Sequence, residues 1–111
     1  MSHTRFAPMP VPPYYAVIFS NQRRDADPAG YELAASRLVE LATQQPGYLG
    51  VESTRDADGF GITISYWTDE ASIAAWKAHA EHSIAQETGQ ARWYEHYITR
   101  VAKVERAYSL K

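Results

Sequence analysis

The apolar positions of this chain change their period along its length, and the changes mark elements in the order β-α-β-β-α-β. Tyr14 to Asn21 is dense in aromatic and β-branched residues and follows a proline pair, which predicts a first strand. One of its faces carries Tyr15, Val17, Phe19 and Asn21, the other Tyr14, Ala16, Ile18 and Ser20, so neither is made for water. Gln22 to Asp27, closed by Pro28, reads as a loop. Beyond it Tyr31, Ala34, Leu38, Leu41 and Ala42 recur at the 3.6-residue period of an amphipathic helix that ends near Gln45. Pro46 cannot continue the ladder of backbone hydrogen bonds, and Gly47 accepts the left-handed conformation that reverses the chain.

A second strand is expected over Tyr48 to Arg55 and a third over Phe60 to Trp67, joined as a hairpin by the turn residues Asp56-Ala57-Asp58-Gly59. Thr68 or Asp69 can cap a second helix from about Asp69 to Gln86 by accepting a hydrogen bond from its first free amides. Gly89 ends that region and Ala91 to Glu95 has the composition of one extra turn. Tyr97 to Tyr108 alternates as a long last strand, with a bulge expected near Lys103. This order is that of the ferredoxin-like α+β sandwich. Two helices cover one face of a four-stranded sheet, yet the first strand puts Tyr14, Ala16 and Ile18, and the last Ile98, Ala102 and Val104, on whichever face the helices leave free. A homodimer in which two sheets pack face to face around a twofold axis resolves the conflict.

Composition narrows the picture. With 111 residues and 45% hydrophobic content the chain suits one domain, residues 14–111, preceded by an extended arm, residues 1–13. Its net charge of -2 is spread without blocks, which offers no stripe for nucleic acid or an anionic membrane. The arm has no apolar run long enough for a signal peptide or a membrane span, and a cytoplasmic location is expected. There is no cysteine, so thiol nucleophiles, thiolate-held metals and disulfides are excluded.

The stretch richest in chemistry is the second helix. Ile73, Trp76, Ala80 and Ile84 form its apolar stripe, with His79, Ser83 and Gln86 on the flank near Trp76 and His82 almost opposite. A histidine beside an aromatic can orient a planar substrate or move a proton near neutral pH; a packed or solvent-facing histidine is the competing reading. His79 and His82 lack a convincing third ligand, so no metal site is expected. Trp67 and Trp76 suit a core as well as a cavity wall. Asn21 ends the first strand in phase with Val17 and Phe19, where an amide could meet a ligand carbonyl or a developing oxyanion or could simply end the strand.

These residues resemble the antibiotic biosynthesis monooxygenase family, small dimeric α+β barrel proteins, from Tyr14 to Tyr108. The resemblance is carried by Phe19-Ser20-Asn21, by Gln45-Pro46-Gly47-Tyr48-Leu49-Gly50, by Ile64-Ser65-Tyr66-Trp67 and by Ala75-Trp76-Lys77-Ala78-His79. It implies a cofactor-independent oxygenation of a small electron-rich aromatic, a phenol, anthrone or hydroquinone, with Asn21, Trp76 and His79 in catalytic roles. Phe19, Trp67, Ser83 and Gln86 are the substrate-binding residues this implies. Another branch of the family degrades haem with a histidine ten residues beyond the helix tryptophan. That position is Gln86 here, and glutamine is a poor axial ligand, so haem is disfavoured. A non-enzymatic ligand-binding or interaction protein is the remaining alternative.

Overall fold

The computed structural model describes residues 5–87 and 93–110, and over 81–87 the helical backbone alone. Strand β1 (Tyr14–Arg23) leads to helix α1 (Pro28–Thr43), strands β2 (Tyr48–Arg55) and β3 (Phe60–Trp67), helix α2 (Glu70–Glu87) and strand β4 (Tyr94–Val104). The sheet is antiparallel throughout, in the order β2-β3-β1-β4, which is the ferredoxin-like arrangement that the hydrophobic pattern predicts.

Local chemistry sets the element ends. Asp27 precedes α1 in the left-handed region at φ 49° and accepts a hydrogen bond from the Gly30 amide at 3.2 Å, while Pro28 supplies the first helical position without a wasted N–H. Asp69 caps α2 by accepting from the Ser72 amide at 2.8 Å, one of the two caps the sequence offers. Those hydrogen bonds hold its carboxyl below the usual carboxylate range. In the hairpin, Asp56 Oδ1 accepts from the amides of Asp58 and Phe60 at 2.9 and 3.0 Å, and Gly59 takes the positive φ of 91°. Gly47 has φ 86° and sits so close to Ser72 and Thr68 that a Cβ would collide with both side chains.

Register decides which residues share a face. Tyr15 lies opposite Trp67 and Lys103, and Asn21 lies opposite Gly61 and Tyr97. Tyr15, Val17, Phe19 and Asn21 therefore belong to the face with Trp67, the face on which α1 and α2 pack. Its core is Trp67, Ile73 from α2, and Ala34 and Ala42 from α1.

Tyr14 and Ala16 are also buried, although they lie on the face without helices. The arm lies on that face as well. Ala7 and Pro8 rest on Gly50, where a Cβ would stand 2.9 and 2.8 Å from them. The Ala7 amide donates to Glu52 Oε2 at 2.9 Å, and Tyr66 Oη donates to Glu52 Oε1 at 3.1 Å. Residues 5–13 thus lie across part of the sheet, and the open surface is smaller than two helices alone would leave it.

Four expectations need correction. Gln22 and Arg23 belong to β1 and not to the loop, because they pair with β3 and β4. The bulge falls between Gln22 and Arg23, opposite the start of β4, and pairing through Lys103 is regular. Tyr94 and Glu95 belong to β4 and not to an extra turn; Ala91 lies outside the described residues, as does Gly89. The last strand spans Tyr94–Val104, because the bulge lets Arg23 pair with Tyr94 at its start while β1 supplies no partner beyond Tyr14, opposite Val104.

Candidate functional site

At the Tyr15 end of the helix-covered face, Trp67 has no exposed surface and donates from Nε1 to Ser65 Oγ at 2.9 Å. Tyr48 meets it edge-on at 5.7 Å and Trp76 stacks on it at 6.0 Å and 25°. His79, one turn further along α2, lies 5.9 Å from Trp76 and is exposed. Trp67, Trp76 and His79 thus form one ladder from core to surface, with Trp76 half-buried in its middle. Ser83 and Gln86 follow on α2, but their side chains lie outside the described residues, as does that of His82.

Asn21 stands apart from this ladder. Six residues separate it from Tyr15 along β1, a span of about 20 Å in extended chain. Only 2% of its surface is exposed; Nδ2 makes one long hydrogen bond, 3.4 Å, to the Phe19 carbonyl, and Oδ1 has no partner among the described residues. A buried amide oxygen left without a donor costs about 1–3 kcal/mol, so an occupant offering one is favoured there. Phe19, two residues back, packs against Tyr94 at 5.5 Å and Tyr97 at 5.3 Å.

A third group of residues gathers around Tyr31 toward the Asn21 end of the face, and sequence reasoning named none of them as site residues. Arg23 Cζ lies 3.9 Å from the centre of the Tyr31 ring and Arg55 Cζ 5.6 Å from it. Arg55 also donates to Tyr31 Oη at 2.9 Å, and Tyr94 Oη donates to the same oxygen at 3.4 Å. Trp93 meets Tyr31 edge-on at 6.0 Å, and its Nε1 is buried without a partner. Burial first, and then the hydrogen bond to Tyr31, raise the Tyr94 hydroxyl well above the usual tyrosine range, so it stays a proton donor at neutral pH. No local pattern announces this cluster, because apart from the contact of Arg23 with Tyr31 it joins residues 24 to 70 positions apart.

Among the described residues no group of three or more His, Asp or Glu side chains is placed to hold a metal ion. Haem fits poorly on donor chemistry alone, since the position expected to ligate iron carries the amide Gln86.

A ferredoxin-like α+β domain with an aromatic helix-covered face and one buried, unsatisfied amide defines the class of protein. The profile of the family described as antibiotic biosynthesis monooxygenase matches residues 13–88, and the chain belongs to that family. It is 56% identical over 97 residues to the uncharacterized protein YqjZ of Bacillus subtilis, across 87% of this chain and 84% of that one. It is also 30% identical over 94 residues to jasmonate monooxygenase ABM of Pyricularia oryzae, across 81% of this chain but 43% of that longer protein. Among solved structures, SnoaB from Streptomyces nogalater, a cofactor-independent oxygenase, shares the fold with a TM-score of 0.62 and 14% identity, covering 89% of this chain and 98% of SnoaB. PA3566 from Pseudomonas aeruginosa does so with a TM-score of 0.66 and 15% identity, covering 90% of this chain and 100% of its own. At those identities the likeness is one of fold.

Proposed function

We propose that the chain is a monooxygenase that needs no cofactor and oxidises a small electron-rich aromatic, of phenol, anthrone or hydroquinone type, with dioxygen. The observation that carries this reading is Asn21: a buried amide with an unsatisfied oxygen, on the face where an aromatic ligand would meet Phe19. Family membership and the activities named for SnoaB and the Pyricularia relative support the reaction class.

In this reading the substrate's ring system packs against Phe19 at the Asn21 end of the face and gives its phenolic proton to solvent at the rim; a small aromatic held there does not reach Trp76 and His79 at the other end of β1, and neither carries a step of the reaction. Asn21 holds an oxygen of that molecule, accepting from a hydroxyl through Oδ1 or, with the amide turned, donating through Nδ2 to an oxyanion. The carbanion form of the substrate gives two electrons to dioxygen and forms a C–O bond. The oxygenated carbon then loses its C–H proton as the O–O bond of the peroxide breaks, so that one oxygen atom remains as a quinone carbonyl and the other, taking that proton and one from solvent, leaves as water. The working unit is proposed to be a homodimer joined through the sheet face that the helices leave free.

The test is oxygen consumption by metal-free protein with anthrones and hydroquinones, measured against autoxidation without protein. The reading expects protein-dependent uptake that falls about 100-fold in Asn21→Ala, the scale of losing one oxyanion-stabilising donor. No uptake across the panel, or uptake untouched by the substitution, overturns it.

A further inference from the structure

The Asn21 end of the helix-covered face holds more hydrogen-bond donors than the protein uses. Arg55 places its guanidinium over Gly61, the residue beside Asn21 in β3; a Cβ on Gly61 would lie 2.8 Å from both Cζ and Nη1. That guanidinium donates to the Gly59 carbonyl at 2.7 Å and to Tyr31 Oη. Arg23 donates to the carbonyls of Arg24 and Trp93 at 2.6 and 3.0 Å. A guanidinium has five N–H donors, so both side chains retain several, and among the described residues neither meets a carboxylate.

Tyr31 adds to the surplus. Its oxygen accepts from Arg55 and from Tyr94, which fills both lone pairs and turns its own proton outward, where among the described residues no acceptor stands. The Trp93 indole N–H, on a residue 4% exposed, is likewise unspent. Two positive charges that meet no carboxylate among the described residues, with a hydroxyl and an indole donor grouped around the Tyr31 ring, form an environment suited to an anionic acceptor. Asn21 Oδ1 beside them needs the opposite, a donor.

We propose that this cluster is a subsite for an organic carboxylate, and that the preferred ligand is a hydroxy-substituted aromatic acid. The carboxylate meets Arg55, Arg23 and the Tyr31 hydroxyl at the exposed rim, and the ligand hydroxyl donates to Asn21 Oδ1 on the buried floor. This rests on the reading of the Asn21 face as a ligand pocket and adds a charge preference to it.

Calorimetric titration with a hydroxynaphthoate and with its methyl ester, at equal ionic strength, tests it. The acid is expected to bind at least about tenfold more tightly than the ester, as a charge-assisted bidentate contact requires. Arg55→Gln should abolish most of that preference and Arg55→Lys should keep part of it, whereas Arg106→Gln, beyond the end of β4, should leave it intact. Equal affinities, a preference that survives Arg55→Gln, or no binding by either compound overturns the subsite. Oxygen uptake separates the two readings. Acid preference without uptake sinks the oxygenase alone, and uptake on neutral phenols without acid preference sinks the subsite alone.

Discussion

Tyr66 and Asn21 show how differently a single polar side chain can be placed on the two faces of this sheet. Tyr66 lies on the face without helices, where its hydroxyl donates to Glu52 and Glu52 in turn holds the arm through the Ala7 amide. Burial first, then the hydrogen bond to Glu52 and its negative charge, push the Tyr66 hydroxyl up to about 12 from its ordinary 10.0. The folded state therefore holds this proton more tightly than the unfolded chain does. Stability from this source is fully present below pH 10 and is lost as pH rises through about 12. Denaturation curves across that window should show a smaller alkaline loss in Tyr66→Phe than in the parent; identical slopes would mean that Tyr66 carries none of it. Tyr48 and Tyr94 shift in the same direction, so part of the loss remains in the variant. Asn21, by contrast, has a buried oxygen that meets no donor among the described residues, and the proposed ligand is what would supply one.

At the level of elements, the helix starts are set by short polar residues. Asp27 does two tasks before α1, accepting from Gly30 and turning the chain in a left-handed conformation that a non-glycine residue adopts at a cost. Asp27→Ala removes the acceptor and keeps the strain, and is expected to lower stability by about 1–2 kcal/mol in urea titration; Asp27→Gly relieves the strain and should cost only a few tenths. Equal losses in the two variants would show that the backbone conformation contributes nothing. β4 is the weakest-covered strand: it forms one edge of the sheet and its residues from Glu95 to Lys103 are exposed. An uncovered edge strand of this length needs protection in solution, and self-association is the proposed source.

For the whole molecule, the arm and the open face belong to one question. The arm covers Gly50 on the β2 side, while Ile18, Ile98 and Ala102 remain on the same face toward β4. Ile98 is 42% exposed, and a second copy packing there would bury it. Ile18→Lys places a charge beside Arg100, its register partner, on that face. Sedimentation should then show a lighter species than the parent at the same concentration, and an unchanged profile would put the association elsewhere. None of the helices is long and apolar enough among the described residues to cross a membrane.

Sequence by itself determined the elements and their order. β2 and β3 fall on the residues their alternation marks, Tyr48–Arg55 and Phe60–Trp67, because side-chain alternation and turn chemistry at Asp56 to Gly59 act over a few neighbouring positions. The contact of Trp76 with His79 was legible for the same reason, a helical spacing of three. What only the tertiary structure decided is which distant residues meet. The arm on Gly50, the bulge at Gln22 and the gathering of Arg23, Arg55, Tyr31 and Trp93 around the Asn21 end all depend on strand register and on helix seating. Those are fixed by the packing of the whole sheet, and no local period in the chain encodes them.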